Sequence, residues 1–444
     1  MNKKFFYSEK KNNIKINFFL KKEFIPKDKS FEKLDKICKE YPINKKIICL
    51  PDLNFKVKNF IPSGIVVPTK KIFFPSLLGT GNDGMILLKL KLNKKISSKE
   101  TNNLFANIKS KIAIFRRNKP KISEKSLLDL LFYNIKDTLR YFGFNQNDDH
   151  EKFEYLDNKF SKKKKLLRIL KKKKFNFKFP NFVPRQSIIK RSSCCIGVLD
   201  GTSHFIELYK IKTSAQKINS CNYYILIHAG SADPGIIIQN YLLDKENKKM
   251  RNNGFKNNSL EHQLLKISYN FGFLNRIYIA SVVKKISEKI LLSKRCNVEI
   301  VNDKTHDFLD FYKDIFFHRK GAVNLKCNRN PQKKNSEIYF LPTYLGGDGY
   351  ILKQMKKNHF HTLNTVNHGV GRIYNKDVSL KKFSKIPLSK TLKNKVKLFR
   401  YHKDNIKSQM SLSFKNDKKI IKFLQDNKIA KTITILKPIA SLKA

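Results

Sequence analysis

Tyr223-Tyr-Ile-Leu-Ile-His-Ala-Gly-Ser231 decides how the chain reads. Aromatic, β-branched and leucine side chains follow one another without a break, which is strand character, and three small residues end the run at a turn. A histidine placed last on such a strand can point into a cleft floored by a sheet. Runs of the same kind occur elsewhere. Ser63–Val67, Met85–Leu90, Cys194–Leu199 and Ile338–Leu341 read as further strands. Apolar spacing near the helical period predicts helices over Ser126–Tyr141, His262–Lys284 and Lys418–Gln425. Strands and helices mix without strict alternation. The expected class is therefore α+β, or an irregular α/β fold, rather than a doubly wound sheet.

The chain has 444 residues, 41% of them hydrophobic, which is enough for a large core and excludes wholesale disorder. No apolar run reaches the ~18 residues of a membrane span. The N-terminus lacks the apolar stretch of a signal peptide, so the expected location is the cytoplasm. Seven cysteines (Cys38, Cys49, Cys194, Cys195, Cys221, Cys296 and Cys327) form no C-x-x-C pair. That excludes a disulfide scaffold and a zinc knuckle and leaves reduced thiols. The net charge of +58 reads two ways. It permits binding to a phosphate backbone. Yet lysine outnumbers arginine roughly six to one, the pattern of compositional drift rather than of a surface built on bidentate arginine. Lys159 to Phe179, KFSKKKKLLRILKKKKFNFKF, is the one low-complexity stretch. It reads either as a basic helix on a phosphate backbone or as a solvated insertion. It separates a segment of about 1–150 from one of about 185–444.

Four of the ten histidines share one context, at the end of an apolar run beside glycine or a carboxylate. His204 lies in Gly201-Thr-Ser-His-Phe-Ile-Glu207, His228 ends the run quoted above, His306 lies in Asn302-Asp-Lys-Thr-His-Asp307, and His368 lies in Asn367-His-Gly-Val-Gly-Arg372. Imidazole is the common ligand of borderline divalent metals, and Asp83 in Gly81-Asn-Asp-Gly84 adds a harder donor. Any one of these histidines read alone is more often structural, so the case is their joint pattern. His368 differs in kind. Glycines on both sides of Val370 let backbone N–H groups approach a phosphate, Arg372 can neutralise it, and a histidine there can attack phosphorus. His318-Arg-Lys-Gly-Ala322 adds three basic side chains, and Pro342-Thr-Tyr-Leu-Gly-Gly-Asp-Gly-Tyr350 is a glycine-rich loop after a strand.

In this order the motifs resemble those of the RtcB family of RNA ligases. LPDLNF (50–55), GNDGM (81–85), GTSHFIE (201–207), IHAGS (227–231), FLNR (273–276), NDKTHD (302–307), HRKGA (318–322) and HGVGR (368–372) look like the family's motifs in sequence. The ending ILKPIASLKA is similar to the family's own. The middle and C-terminal segments resemble the subgroup found beside the PrfH release-factor homologue. The resemblance implies one α+β domain over 1–444, with mixed sheets and surrounding helices around a central cleft, and a lysine-rich insertion or loop at 159–179. It implies an enzyme that uses GTP and Mn(II) to join RNA 3′-phosphate or 2′,3′-cyclic-phosphate ends to 5′-hydroxyl ends. Carried over by residue, His368 takes GMP covalently, and Asp83, His204, His228 and His306 are metal ligands. Ser203, Glu207, Asp307, Pro342, Leu345, Gly349, Gly369, Gly371 and Lys443 surround the guanine nucleotide, and Asp52 sits near the metal site. The implied partners are GTP and broken or spliced RNA, such as tRNA or rRNA, for a monomer without a membrane.

The chain also departs from the family's pattern. The family has a metal-bridging cysteine three residues after the metal-binding Asp. Here that position is Ile86, or GND joins GM directly. Ser203 and Asp307 stand where the family has Asn, Ala232 where it has Arg, and Asn54 where it has His. Tyr344-Leu345 replaces a Ser-Met pair. These changes leave a second reading open, a catalytically degenerate relative that binds RNA.

Overall fold

The computed structural model describes residues 7–443 apart from 12, 26–29, 55–60, 74–76, 78–80, 115–118, 133–134, 146–162, 173–186, 201–203, 216–220, 246–253, 326–337, 356–360, 391, 393–394 and 402–405. Strands β1 (Tyr7–Lys11), β2 (Ile14–Phe18), β3 (Lys46–Asn54), β4 (Ser63–Thr69), β10 (Ile315–Lys320) and β9 (Phe308–Tyr312) form one sheet in that order. A larger sheet runs β12 (Ile338–Leu341), β13 (Gly349–Gln354), β16 (Ala430–Lys443), β6 (Phe205–Ser214), β7 (Tyr223–Ala229), β5 (Gly84–Lys91) and β8 (Asn297–Thr305). Strand β15 (Lys397–Arg400) pairs in parallel with β16. A short ladder joins β11 (Ala322–Asn324) to β14 (Thr365–Asn367). The helices are α1 (Ser30–Glu40), α2 (Ser98–Lys111), α3 (Glu124–Phe132), α4 (Ile135–Tyr141), α5 (Lys163–Lys171), α6 (Ile188–Cys195), α7 (Ala232–Lys245), α8 (Leu260–Ile290), α9 (Lys376–Lys382) and α10 (Asp417–Asp426). The class is α+β, as expected.

The main core lies between the larger sheet and its helices. Strand alternation sends Ile86, Leu88, Ile206, Leu208, Ile225 and Ile227 into it. The opposite face of the same strands, with Met85, Leu87, Phe205 and Leu226, forms a smaller core. Helix α8 is buried on nearly every side, which is why its sequence lacks a polar face. The side chain of Ser259 caps its first turn by accepting from the His262 N–H.

Most predicted elements appear with slightly longer bounds, and one differs. Cys194–Leu199 is not a strand. Its first residues close α6, whose N-cap is Ser187, and the rest turn toward the site. An apolar run that short does not separate a buried strand from a buried helix end. The described part of Ser126–Tyr141 is helical, as α3 and α4, and residues 133–134 between them lie outside the described residues. Within 159–179 the described part is a packed helix, α5. Leu166, Ile169 and Leu170 are spaced to share one face and are buried in the main core. Among the described residues, no helix is long and apolar enough to cross a membrane.

Candidate active site

Antiparallel pairing gathers the candidate residues at one end of the larger sheet. Gly84, which begins β5, pairs with Ala229 at the end of β7 and Thr305 at the end of β8. Phe205, which begins β6, pairs with His228 and with Lys443 at the end of β16. Asp83, His204, His228, His306 and Lys443 therefore arrive at the same end without any special loop. His368 follows β14, whose Asn367 pairs with Ala322 just beyond β10.

The four histidine rings form a continuous stack. His204 and His228 meet edge to face at 4.9 Å, His228 and His306 at 5.1 Å, and His306 lies over His368 at 4.5 Å. His204 Nδ1 donates to the Leu199 carbonyl at 2.9 Å, which leaves Nε2 as its lone-pair nitrogen, 3.8 Å from Asp83 Oδ1. That separation is too long for a hydrogen bond. His228 Nε2 is buried and has no hydrogen-bond partner among the described residues. Burial, and then the neighbouring His204, His306 and His368, hold the His228 imidazole well below its usual pKa. A neutral imidazole with an unused, buried nitrogen is what a metal ion requires.

Three imidazoles and a carboxylate are therefore the donor types that a divalent ion takes. Among the described residues, no three such donors already converge on one point, because the rings pack against one another. Ile86 lies in the main core, on the face of β5 away from His228, so this position brings nothing to the site. Met85 occupies the site face and is paired with His228.

His368 is held differently. Its Nδ1 donates to Asp52 Oδ2 at 2.6 Å and to the Gly321 carbonyl at 3.0 Å. Nε2 is then the lone-pair nitrogen. Asp52 is fully buried on β3, in a cage two glycines make possible. A Cβ at Gly64 would come within 2.6 Å of Asp52 Oδ1, and one at Gly371 within 2.6 Å of the Asp52 Cα. Both glycines take positive φ, +84° and +76°, which other residues rarely adopt. Lys415 ties the two strips of backbone together. Its Nζ donates to the Pro51 carbonyl at 2.9 Å and the Leu53 carbonyl at 2.8 Å, and its own N–H to Gly371 at 3.0 Å. Nothing in the sequence motifs pointed to Lys415.

The residues expected around the nucleotide divide. Glu207 and Lys443 interact across the neighbouring strands β6 and β16. Burial raises the Glu207 carboxyl above its usual pKa, opposed by Lys443, and lowers Lys443 to about 8. Tyr209 donates to Glu207 Oε2, whereas Oε1 is buried with no partner among the described residues. Lys443 Nζ sits 3.8 Å from the centre of the Phe205 ring. The Pro342 carbonyl lies 3.5 Å from where a side chain at Gly369 would begin, so the 342–349 loop abuts the HGVGR turn. Leu345 is buried and anchored to Gln409, and Gly349 starts β13. The carboxylate of Asp307 is engaged by Lys320 and by the Gly321 N–H at 2.8 Å. Ser203 lies outside the described residues.

The basic triplet of HRKGA turns inward. His318 is fully buried, accepts from the Phe73 N–H at 3.0 Å, and is lowered to about 3 by burial. Arg319 pairs with Asp310 and Lys320 with Asp307. This segment frames the site rather than meeting solvent.

The family model described as tRNA-splicing ligase RtcB matches residues 34–444, nearly the whole chain. The chain belongs to the RtcB family. No curated protein matches it significantly. RtcB membership makes an RNA ligase the class of enzyme, and it agrees with the α+β architecture.

Proposed function

We propose that the chain ligates RNA through a guanylylated His368, using GTP and Mn(II). The observation that carries this reading is the Asp52–His368 pair. With Nδ1–H held by a buried carboxylate, the tautomer is set and Nε2 carries the lone pair. His368 Nε2 attacks the α-phosphorus of GTP, the bond to the bridging oxygen breaks, and pyrophosphate leaves. The positive charge that develops on the ring faces Asp52. The guanylyl group passes to the RNA 3′-phosphate and frees His368. The 5′-hydroxyl then attacks that activated phosphorus and GMP leaves. A 2′,3′-cyclic phosphate enters once water opens it to the 3′-phosphate. Mn(II) held by Asp83, His204, His228 and His306 would neutralise phosphate charge and orient the triphosphate for in-line attack. Glu207 and Lys443 offer a buried acceptor and a half-buried donor to the guanine, beside Gly349, Gly369 and Gly371.

The test is label transfer from GTP labelled at the α-phosphate. With Mn(II), label should stay on the denatured wild-type chain and be absent from His368→Ala. The placement of Ile86 in the core favours a second reading, a relative that holds RNA ends through its basic surface without ligating them. Its outcome is RNA binding with a steep salt dependence and no label on the protein.

A further inference from the structure

Helix α8 carries two adjacent polar side chains, Asn275 and Arg276, that are completely buried beneath the site. A buried arginine is expensive unless every donor is matched, and an apolar residue would pack there more simply. Here the donors are matched, and the acceptors fall in a pattern. Asn275 Nδ2 donates to the Val198 carbonyl at 3.0 Å and the Gly230 carbonyl at 2.9 Å, while its Oδ1 accepts from the Gly197 N–H at 2.7 Å. Arg276 Nε donates to Asp303 Oδ1 at 3.0 Å, and one terminal nitrogen to the Asn82 carbonyl at 3.0 Å and Asn82 Oδ1 at 3.2 Å. Its other terminal nitrogen reaches Thr305 Oγ at 3.4 Å.

Each acceptor lies one to six residues from a candidate ligand. Val198 leads to Leu199, whose carbonyl holds the His204 ring. Gly230 follows His228 by two residues, Asn82 precedes Asp83, and Thr305 precedes His306. The Asn82 and Thr305 side chains also bond one another at 2.9 Å, and the His306 N–H donates to the Asp83 carbonyl at 3.0 Å. Gly84 is glycine for the same reason, since a Cβ there would lie 2.7 Å from the guanidinium carbon of Arg276.

We infer that Asn275 and Arg276 are positioning residues. Two consecutive side chains of one helix set the mutual spacing of the four segments that bring Asp83, His204, His228 and His306 to one end of the sheet. The inference rests on the metal-centre reading above for its purpose, though not for its geometry. Asn275 acts through backbone, and Arg276 through the side chains of Asp303, Asn82 and Thr305 and the Asn82 carbonyl, so their loss should loosen the donor set while the strands beneath stay paired.

The experiment compares wild type, Arg276→Met, Arg276→Lys and Asn275→Leu in two measurements. Amide hydrogen exchange on the metal-free proteins reads the geometry. Mn(II) binding, followed by the spectroscopic signal of the free ion, reads its purpose. In Arg276→Met, exchange should quicken at 82–84 and 303–307 with protection retained along β6 and β7. Mn(II) should bind about tenfold or more weakly, in the range seen when partners of metal ligands are removed. Asn275→Leu should shift the effect to 197–199 and 228–231. Arg276→Lys keeps the buried charge with fewer donors and should fall between; it also carries the comparison if Arg276→Met does not fold. Unchanged exchange at these segments overturns the inference, as does uniform acceleration through the whole sheet. Unchanged Mn(II) affinity in a protein whose wild type binds the ion overturns it equally. If wild type takes up no Mn(II), the metal-centre reading fails, and the exchange pattern alone decides for or against the positioning role.

Discussion

At His368, protein groups hold Nδ1 and leave Nε2 to a substrate; at His228, two ring contacts away, a buried nitrogen has no partner among the described residues. His368 has a buried carboxylate and a carbonyl on Nδ1, and the strip of backbone behind Asp52 is clamped by Lys415. His228 has a buried nitrogen without a partner and a pKa driven down by burial and by its histidine neighbours. A held Nδ1 fixes a tautomer and suits a group that reacts through Nε2. An unfinished set in a buried place suits a group that is completed by a ligand. Under the proposed function, one corner would act on phosphorus and the other would receive an ion.

The largest effect that should sharpen this contrast is at Asp52. Asp52→Asn removes the negative charge behind His368 and no longer sets its tautomer. Formation of the covalent guanylyl adduct should slow by on the order of 10²–10⁴-fold, read in single-turnover label transfer, with Mn(II) affinity nearly unchanged. Equal losses in both measurements would merge the two corners into one. The mirror-image change is His228→Ala. Mn(II) affinity should fall by roughly 100-fold or more, and adduct formation should recover in part when Mn(II) is raised. Recovery is not expected for Asp52→Asn.

Smaller effects test the burial on which the contrast rests. His262 and His318 are both lowered by burial, each to about 3. Between the ordinary histidine pKa near 6.5 and that value, the unfolded chain binds a proton that the folded chain refuses. Stability should therefore fall as pH drops below about 6.5. His318→Leu should reduce that slope by about one proton, ~1.4 kcal/mol per pH unit, in denaturant unfolding followed across pH. Smallest and most general is the charge. RNA affinity should decline linearly in log–log plots against salt concentration, and a flat response would remove the basic surface from the account.

Much of this arrangement was legible in the sequence, for definite reasons. His228 lies at the end of β7, before small residues, and β7 keeps its register because shifting it by a residue would expose its apolar set. His204 just before β6 and His306 just after β8 reach the same end of the sheet through the antiparallel pairing. The Asp52–His368 pair spans over three hundred residues and appears only once β3 and β14 are brought together. Lys415 and the inward turn of His318-Arg319-Lys320 were not legible, because basic side chains on a chain with a net charge of +58 look alike until their carboxylate or carbonyl partners are known. The run Cys194–Leu199 misled for a related reason, since its apolar residues are buried whether helix or strand.

The account turns on one nitrogen. The direct measurement is peptide mapping by mass spectrometry after wild type is incubated with GTP and Mn(II), under conditions that preserve phosphorus–nitrogen bonds. One guanylyl group on the peptide containing His368, absent when Mn(II) is withheld and absent in His368→Ala, is the predicted result. A guanylyl group on another residue, or none on a protein that binds both GTP and Mn(II), would contradict it.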